Sequence, residues 1–417
     1  PWFSPSFCCG SPFYADPETM YYSINQIIFL FFKPPMAIKI IFFILSFTAY
    51  LGMFLLAQKS FRLNKYTSLI CASLFLFNGF FVYRAIQGHV SHLSFVFIPL
   101  YCYFLINSSK REKKKSSFVY LILSSIIFAN FFHSGSGPII FGIFGSIFSI
   151  LLFYSHLVKS LKIFINFIYS LFIGILISLS KISAVLLFLN NFPRKYEMMQ
   201  FDSIASYIKI FFLSFFFKPN EKYFNDNITS MFPLGTHEIE YGMSIVPIIL
   251  LFFVFFLNKK IFQLNVRNII FILLVTVIFL VPVLLNVNFL NQFDLIQKTP
   301  ILNNSWVQVR WMIIYILPIA ILSGYIVENL NTNFVNKKYL SIILISILLT
   351  QNYIRDKSWH VDQQKYNLKN AIDFSLKLEK NITPEILGPA ILMDEFGSPK
   401  KINNKNDMFF FSYSPLI

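Results

Sequence analysis

Apolar residues fall into ten runs along the chain, at 36–57, 68–86, 92–107, 117–133, 138–156, 163–189, 243–257, 268–286, 309–328 and 338–351. A helix needs about 20 predominantly apolar residues, within a range of about 17–25, to cross a bilayer. The pattern therefore predicts an all-α fold, a polytopic bundle of about ten transmembrane helices. The runs 92–107, 243–257 and 338–351 are the shortest for a span.

The polar positions between the runs are not uniform. Lysine and arginine collect in every second loop: Lys59, Arg62 and Lys65; Lys110, Arg111, Lys113, Lys114 and Lys115; Lys159 and Lys162; Lys259, Lys260 and Arg267; Lys337 and Lys338. Cytoplasmic loops carry such an excess. Placing 110–115 inside places the other four clusters inside as well. The opposite loops, 1–35, 87–91, 134–137, 190–242, 287–308 and 352–417, are then outside. This divides the chain into a first outer loop (1–35), a helical domain (36–351) that includes the long outer loop 190–242, and a short outer tail (352–417). Within 190–242 the apolar stretch 204–217 is too short to span and reads as interfacial. No internal repeat is visible. The chain opens at Pro1, nothing ahead of the first run resembles a secretory signal, and an even number of spans puts residue 1 outside. These features suggest a chain that has lost an N-terminal span.

Composition narrows the picture further. At 56% hydrophobic residues and a mean hydropathy of +0.62, the chain is too apolar for an ordinary soluble domain. Its net charge of +16 would suit nucleic acid, but the charge sits on the inner loops, where lipid headgroups are the natural partner. Four cysteines include adjacent Cys8 and Cys9, with Cys71 and Cys102 inside apolar runs, and form no metal or disulfide framework. Asn227, Asn303 and Asn381 head Asn-x-Ser/Thr tripeptides on the outer side, a common chance occurrence in an Asn-rich chain.

Candidate chemistry gathers on the outer side. Asp16 and Glu18 flank Pro17 in the first loop, where two carboxylates can ligate a divalent cation, supply a general base, or simply close a turn. Arg84, His89 and His92 crowd the turn between the second and third runs, and His133 lies in the next outer turn. Ionisable groups at membrane depth are costly and mark functional positions by default; the plainer reading is that Arg84 snorkels to the interface. Lys181 lies inside the sixth run and Arg194 just beyond it; such a pair suits a phosphate or pyrophosphate. His237, Glu238 and Glu240 precede the seventh run, as metal ligands or as a charged flank. Arg310 opens the ninth run between Trp306 and Trp311 and reads as an anion partner beside an interfacial aromatic belt.

At these residues the chain resembles the GT-C superfamily of polytopic glycosyltransferases, in its bacterial oligosaccharyl- and protein-mannosyltransferase-like members. The opening PWFSPSFCCGSPFYADPET is similar to their first outer loop. The segment from Gly79 to Leu100, with Arg84, Gly88-His89 and Pro99-Leu100, is similar to their third and fourth spans and second outer loop, and Lys181 followed by Phe192-Pro193-Arg194 to their lysine and Pro-Arg pattern. His237-Glu238 with Tyr241-Gly242 resembles a His-Glu-Tyr-Gly segment interrupted by Ile239 and Glu240, and Arg310 resembles the arginine that opens a late span.

The resemblance implies a transfer of sugar from a polyprenyl-phosphate donor to an acceptor on the periplasmic face of the cytoplasmic membrane. Catalytic roles would fall to Asp16 and Glu238, and donor-phosphate binding to Arg84, His89, Lys181, Arg194 and Arg310. Glu18, His237 and Glu240 would hold a divalent metal, magnesium or manganese. The acidic residue usually taken as the catalytic base in this superfamily would lie upstream of Pro1. Two other readings stand beside this one: a transporter or flippase for a lipid-linked or anionic solute, and a membrane protein without chemistry.

Overall fold

The computed structural model describes residues 13–110, 114–191, 199–229, 235–252, 266–288, 307–330, 336–357, 392–393 and 399–400. The chain divides into two units, Tyr14–Arg355 and a second made of Pro1–Phe13 with Asp356–Ile417. In the second, the described strands are a short antiparallel pair, β3 (Leu392–Met393) and β4 (Pro399–Lys400).

The first unit is helical. In order it comprises α1 (Ile24–Phe29), α2 (Pro34–Leu55), α3 (Lys65–Leu76), α4 (Gly79–Ile86), α5 (Ile98–Lys110), α6 (Lys114–His133), α7 (Ile140–Val158) and α8 (Lys162–Asn191). There follow α9 (Ile204–Phe216), α10 (Glu221–Asn225), α11 (Thr236–Ile239), α12 (Val246–Phe252) and α13 (Val266–Asn286). The last two are α14 (Ile316–Asn329) and α15 (Lys337–Arg355). A two-residue pair, β1 (Gln200–Phe201) with β2 (Ile228–Thr229), is its one described sheet.

Eight of the helical segments are long and apolar enough to cross a membrane, and the protein is a multi-pass membrane protein. They cover eight of the ten apolar runs. The run 243–257 is described only as far as Phe252, in α12. The run 338–351 forms a helix of 19 residues, α15, which falls outside the eight because Lys337-Lys338 at one end and Thr350-Gln351-Asn352 at the other dilute its apolar stretch. That helix continues through Arg355, past the expected boundary at 351.

Exposure sorts the spans into inner and outer members of the bundle. In Val90–Lys110 and Val309–Asn329, 72% of the apolar 18-residue stretch is buried, against 11% in Asn268–Asn286 and 17% in Lys162–Asn191. The last two expose rows of large apolar side chains such as Ile168, Phe172, Leu273 and Val277, a surface suited to lipid. Where α8 does pack, against α5 and α6, small residues let the backbones approach: Gly174 sits on Phe128, and Ser124 Oγ and Ser170 Oγ are 3.0 Å apart.

Polar residues punctuate the helices where the apolar pattern runs on. The run 68–86 lies within one span, Lys65–Ile86, whose helix is interrupted at Asn78; the Asn78 Oδ1 accepts from Phe81 N at 2.9 Å and so starts α4. Asn64 caps α3 in the same way, accepting from Tyr66 N and Thr67 N. Two spans open in 3₁₀ geometry, at Val90–Phe97 and Gln308–Tyr315. The stretch expected to lie at the interface, 204–217, forms α9. It buries Tyr207, Ile210, Ser214, Phe215 and Phe216 against the bundle and leaves Ile204, Ile208 and Phe212 exposed on its other face.

Candidate functional site

The site is built where α4, α11 and the 3₁₀ turn Gln308–Tyr315 converge. The irregular segment after α11 fixes their geometry. Tyr241 is fully buried, its ring stacked on Phe215 at 4.8 Å and on Phe80 at 5.8 Å, and its hydroxyl donates to Val309 O at 2.5 Å. Gly79 N donates to Tyr241 O, while Tyr241 N and Gly242 N donate to Ser214 O. One aromatic side chain thus ties together α4, α9 and the start of the span that carries Arg310.

On this frame Glu238 lies between two arginines. Arg310 grips its carboxylate with two bonds, Nε to Oε2 at 2.8 Å and Nη2 to Oε1 at 2.5 Å. Arg84, fully buried and lying over the Phe80 ring, donates to Oε2 from the other side. Arg84 Nη1 also donates to His89 Nδ1 at 2.9 Å, which leaves the other ring nitrogen of a neutral His89 to carry its proton. His237 Nε2 lies 3.4 Å from Glu238 Oε1, and its ring centroid is 5.1 Å from that of His89. His92 lies behind, its ring 5.5 Å from that of His89. Among the described residues, Arg84 Nε and His92 Nε2 have no hydrogen-bond partner.

Two opposed effects act on the Glu238 carboxyl. Burial pushes its pKa up, but Arg310 and Arg84 together outweigh burial and hold it well below the usual carboxylate range. His89 goes the same way for different reasons. Burial first, then the neighbouring Arg84 charge, bring it down to about 4. Around neutral pH Glu238 is therefore an ionised carboxylate between two guanidiniums, beside a neutral His89.

Segment 14–19 borders this cluster. Lys181, buried inside α8, donates to Tyr14 O at 2.7 Å, Asp16 O at 2.8 Å and Thr19 Oγ1 at 3.1 Å. Asp16 Oδ1 accepts from Glu18 N at 2.8 Å and closes the turn. Gly135, at φ +76°, packs against the Glu18 backbone, where any Cβ would collide with it. The Glu18 carboxylate acts electrostatically on Arg310.

No family model, curated protein or solved structure matches this chain.

The structure brings together Arg84, His89, His237, Glu238 and Arg310, with Glu18 beside them, and it redistributes several of the expected roles. Glu238, expected as a catalytic group, has both oxygens clamped and is held ionised, which makes it a poor proton carrier and a fastener for two guanidiniums. Asp16 closes a turn with its carboxylate. Lys181 is committed to backbone carbonyls, because a lysine buried inside a span must find acceptors, and it tethers the loop. Glu240 is separate from the cluster: it is buried beside Arg355 at 3.5 Å and packed on Gly79. Arg194 lies outside the described residues.

The expected metal set of Glu18, His237 and Glu240 is therefore not assembled. Among the described residues, the one group with suitably close ligand atoms is His89, His237 and Glu238, all within 4.8 Å. Two imidazoles suit a softer ion than magnesium or manganese, and guanidiniums on both Glu238 oxygens oppose any cation there. Sequence reasoning passed over Arg355 and the anchoring role of Tyr241. The clue to Arg355 was a lone arginine ending an apolar run at the same end as Glu240.

Proposed function

We propose that the protein is a GT-C-like glycosyltransferase of the cytoplasmic membrane, moving a sugar from a polyprenyl-phosphate donor to an acceptor at the periplasmic face. The observation that carries the reading is the buried Arg84–Glu238–Arg310 cluster with its histidine rim, at the ends of membrane helices, where the phosphate of a lipid-linked donor presents itself. In this reading the five basic loops face the cytoplasm, and the cluster lies on the opposite side.

The chemistry follows from the charges. In an inverting transfer the acceptor oxygen forms its bond to the anomeric carbon as the carbon–oxygen bond to phosphate breaks, and negative charge grows on the phosphate. Arg310, partly exposed beside buried Arg84, stabilises that charge, and preorganised cations in a low-dielectric site do so efficiently. Glu18, within electrostatic range of Arg310, takes the acceptor proton. Glu238 keeps both guanidiniums in place before the donor arrives. No step in this reading passes through a metal. The commitment of Lys181 to the first loop speaks against its serving as a carrier site for transport.

The test is the full chain in nanodiscs with a polyprenyl-phosphate sugar. Release of polyprenyl phosphate is expected from the wild type. Arg310→Gln should weaken donor binding by roughly tenfold or more, as expected for loss of a charge-assisted hydrogen bond to the phosphate. Absence of both donor binding and sugar release in the wild type would overturn the reading.

A further inference from the structure

At the end of the bundle opposite the arginine cluster, α7 turns into α8 through Lys159, Ser160 and Leu161. Between these two helices and α13 lies a cleft of about 250 Å³. Its walls include Phe164, Phe271 and Leu274, and the ring of His156 lies flat on Phe271 at 4.2 Å. Its polar edge is formed by Lys159 and Ser160. The cleft opens among the most lipid-facing helices of the protein: Leu161, Ile165, Ile270 and Leu274 are all exposed.

The edge is built. Lys159 adopts a left-handed conformation at φ 58° and ends α7, its N–H donating to Ser155 O. Ser155 Oγ donates to Ser160 O at 2.8 Å, closing the turn with the lysine outward. Lys162, at the start of α8, is exposed beside it. Among the described residues no acidic side chain lines the cleft. Among the described residues the carboxylate at this end of the bundle is Glu328, which is already paired with Lys337 at 2.8 Å.

We propose that this cleft binds an anionic phospholipid, one acyl chain lying between α7, α8 and α13 and the headgroup phosphate resting on Lys159 and Lys162. The apolar walls select a chain, and Lys159 and Lys162, which meet no carboxylate among the described residues, select a negative headgroup. A free phosphate would lack the chain. A zwitterionic lipid carries its own cation and gains less from the lysines. The inference stands independently of the proposed transfer reaction, because it uses the other end of the molecule.

Native mass spectrometry of the full chain released from nanodiscs of equal phosphatidylglycerol and phosphatidylcholine tests it. Phosphatidylglycerol should be retained preferentially. Lys159→Glu with Lys162→Glu should reduce that preference by roughly tenfold or more, as expected from the attraction of each lysine near an anionic headgroup. Leu274→Trp, which fills the cleft, should lower retention with the charges intact. Lys65→Glu, at another exposed lysine, is the control. Should the double reversal fail to fold, Lys159→Gln with Lys162→Gln takes its place. Equal retention of the two lipids by the wild type would overturn the proposal. So would an unchanged preference in the double variant, unchanged retention by Leu274→Trp, or an equal loss in Lys65→Glu.

Discussion

Glu238 illustrates how one buried charge governs its neighbours. Two guanidiniums share one carboxylate, so removing the carboxylate leaves buried cations without compensation, a loss of about 3–5 kcal/mol for pairs of this kind. Glu238→Gln should therefore lower the thermal midpoint in detergent markedly more than Glu18→Gln does. The pH dependence has a definite sign. The folded Glu238 carboxyl sits well below its ordinary 4.5, so its contribution is full above that pH and is lost as pH falls toward the folded value. His89 works over a different window. Its folded value of about 4 lies below the ordinary 6.5, so the unfolded chain binds a proton that the folded chain refuses. Its contribution is complete above pH 6.5 and declines between 6.5 and about 4. Replacing His89 with Gln should flatten the stability profile across that interval, and an unchanged profile would refute the assignment.

At the scale of elements, the chain uses single polar residues to bend an apolar ribbon into a site. Asn78 interrupts a run that would otherwise continue as one helix, and the restart aims Arg84 at Glu238. Asn78→Ala should cost about 1 kcal/mol, the usual worth of a side-chain cap, and should weaken donor binding along with it; a change in stability alone would mean that α4 keeps its direction without the cap. Lys181 does the corresponding work for the first loop. With Lys181→Met the carbonyls of Tyr14 and Asp16 lose a charged donor, worth roughly 1.5–3 kcal/mol per bond. Amide exchange should then accelerate in residues 14–22 and remain slow in α5. Equal acceleration in both would show a global rather than a local role. Gly135→Ala should disturb the same loop from the other side, because a Cβ there meets the Glu18 backbone at a backbone angle that only glycine adopts easily.

On the scale of the whole molecule, the eight apolar spans and the alternation of basic loops make one joint prediction. Cysteines introduced at the exposed positions 87 and 202 should react with a membrane-impermeant thiol reagent from the periplasmic side, and cysteines at 61 and 160 only after the membrane is opened. A reversed pattern would move the arginine cluster to the cytoplasm and exclude a donor presented at the outer face. The distribution of burial fits a bundle immersed in lipid, with Val90–Lys110 and Val309–Asn329 inside it and α8 and α13 on its rim.

Much of this was legible in the chain itself. Hydrophobicity is summed over a window of residues, so apolar runs report spans without reference to their neighbours, and eight of the ten runs became apolar helices of spanning length. The types of residue at the site could also be read, since charge near a membrane span is rare enough to stand out: Arg84, His89, His237, Glu238 and Arg310 were all named. Their roles could not be read. Whether a carboxylate acts as a base or a fastener depends on which cations lie within about 3 Å of it, and Glu238 and Glu240, two residues apart, meet different arginines because the Tyr241 anchor turns them into different surroundings. The same holds for Lys181, whose partners are carbonyls more than 160 positions away. The sequence by itself determined which segments enter the membrane, because that is a matter of local free energy of transfer. Only the tertiary structure decided which charges meet, because pairing depends on distances that no local pattern encodes.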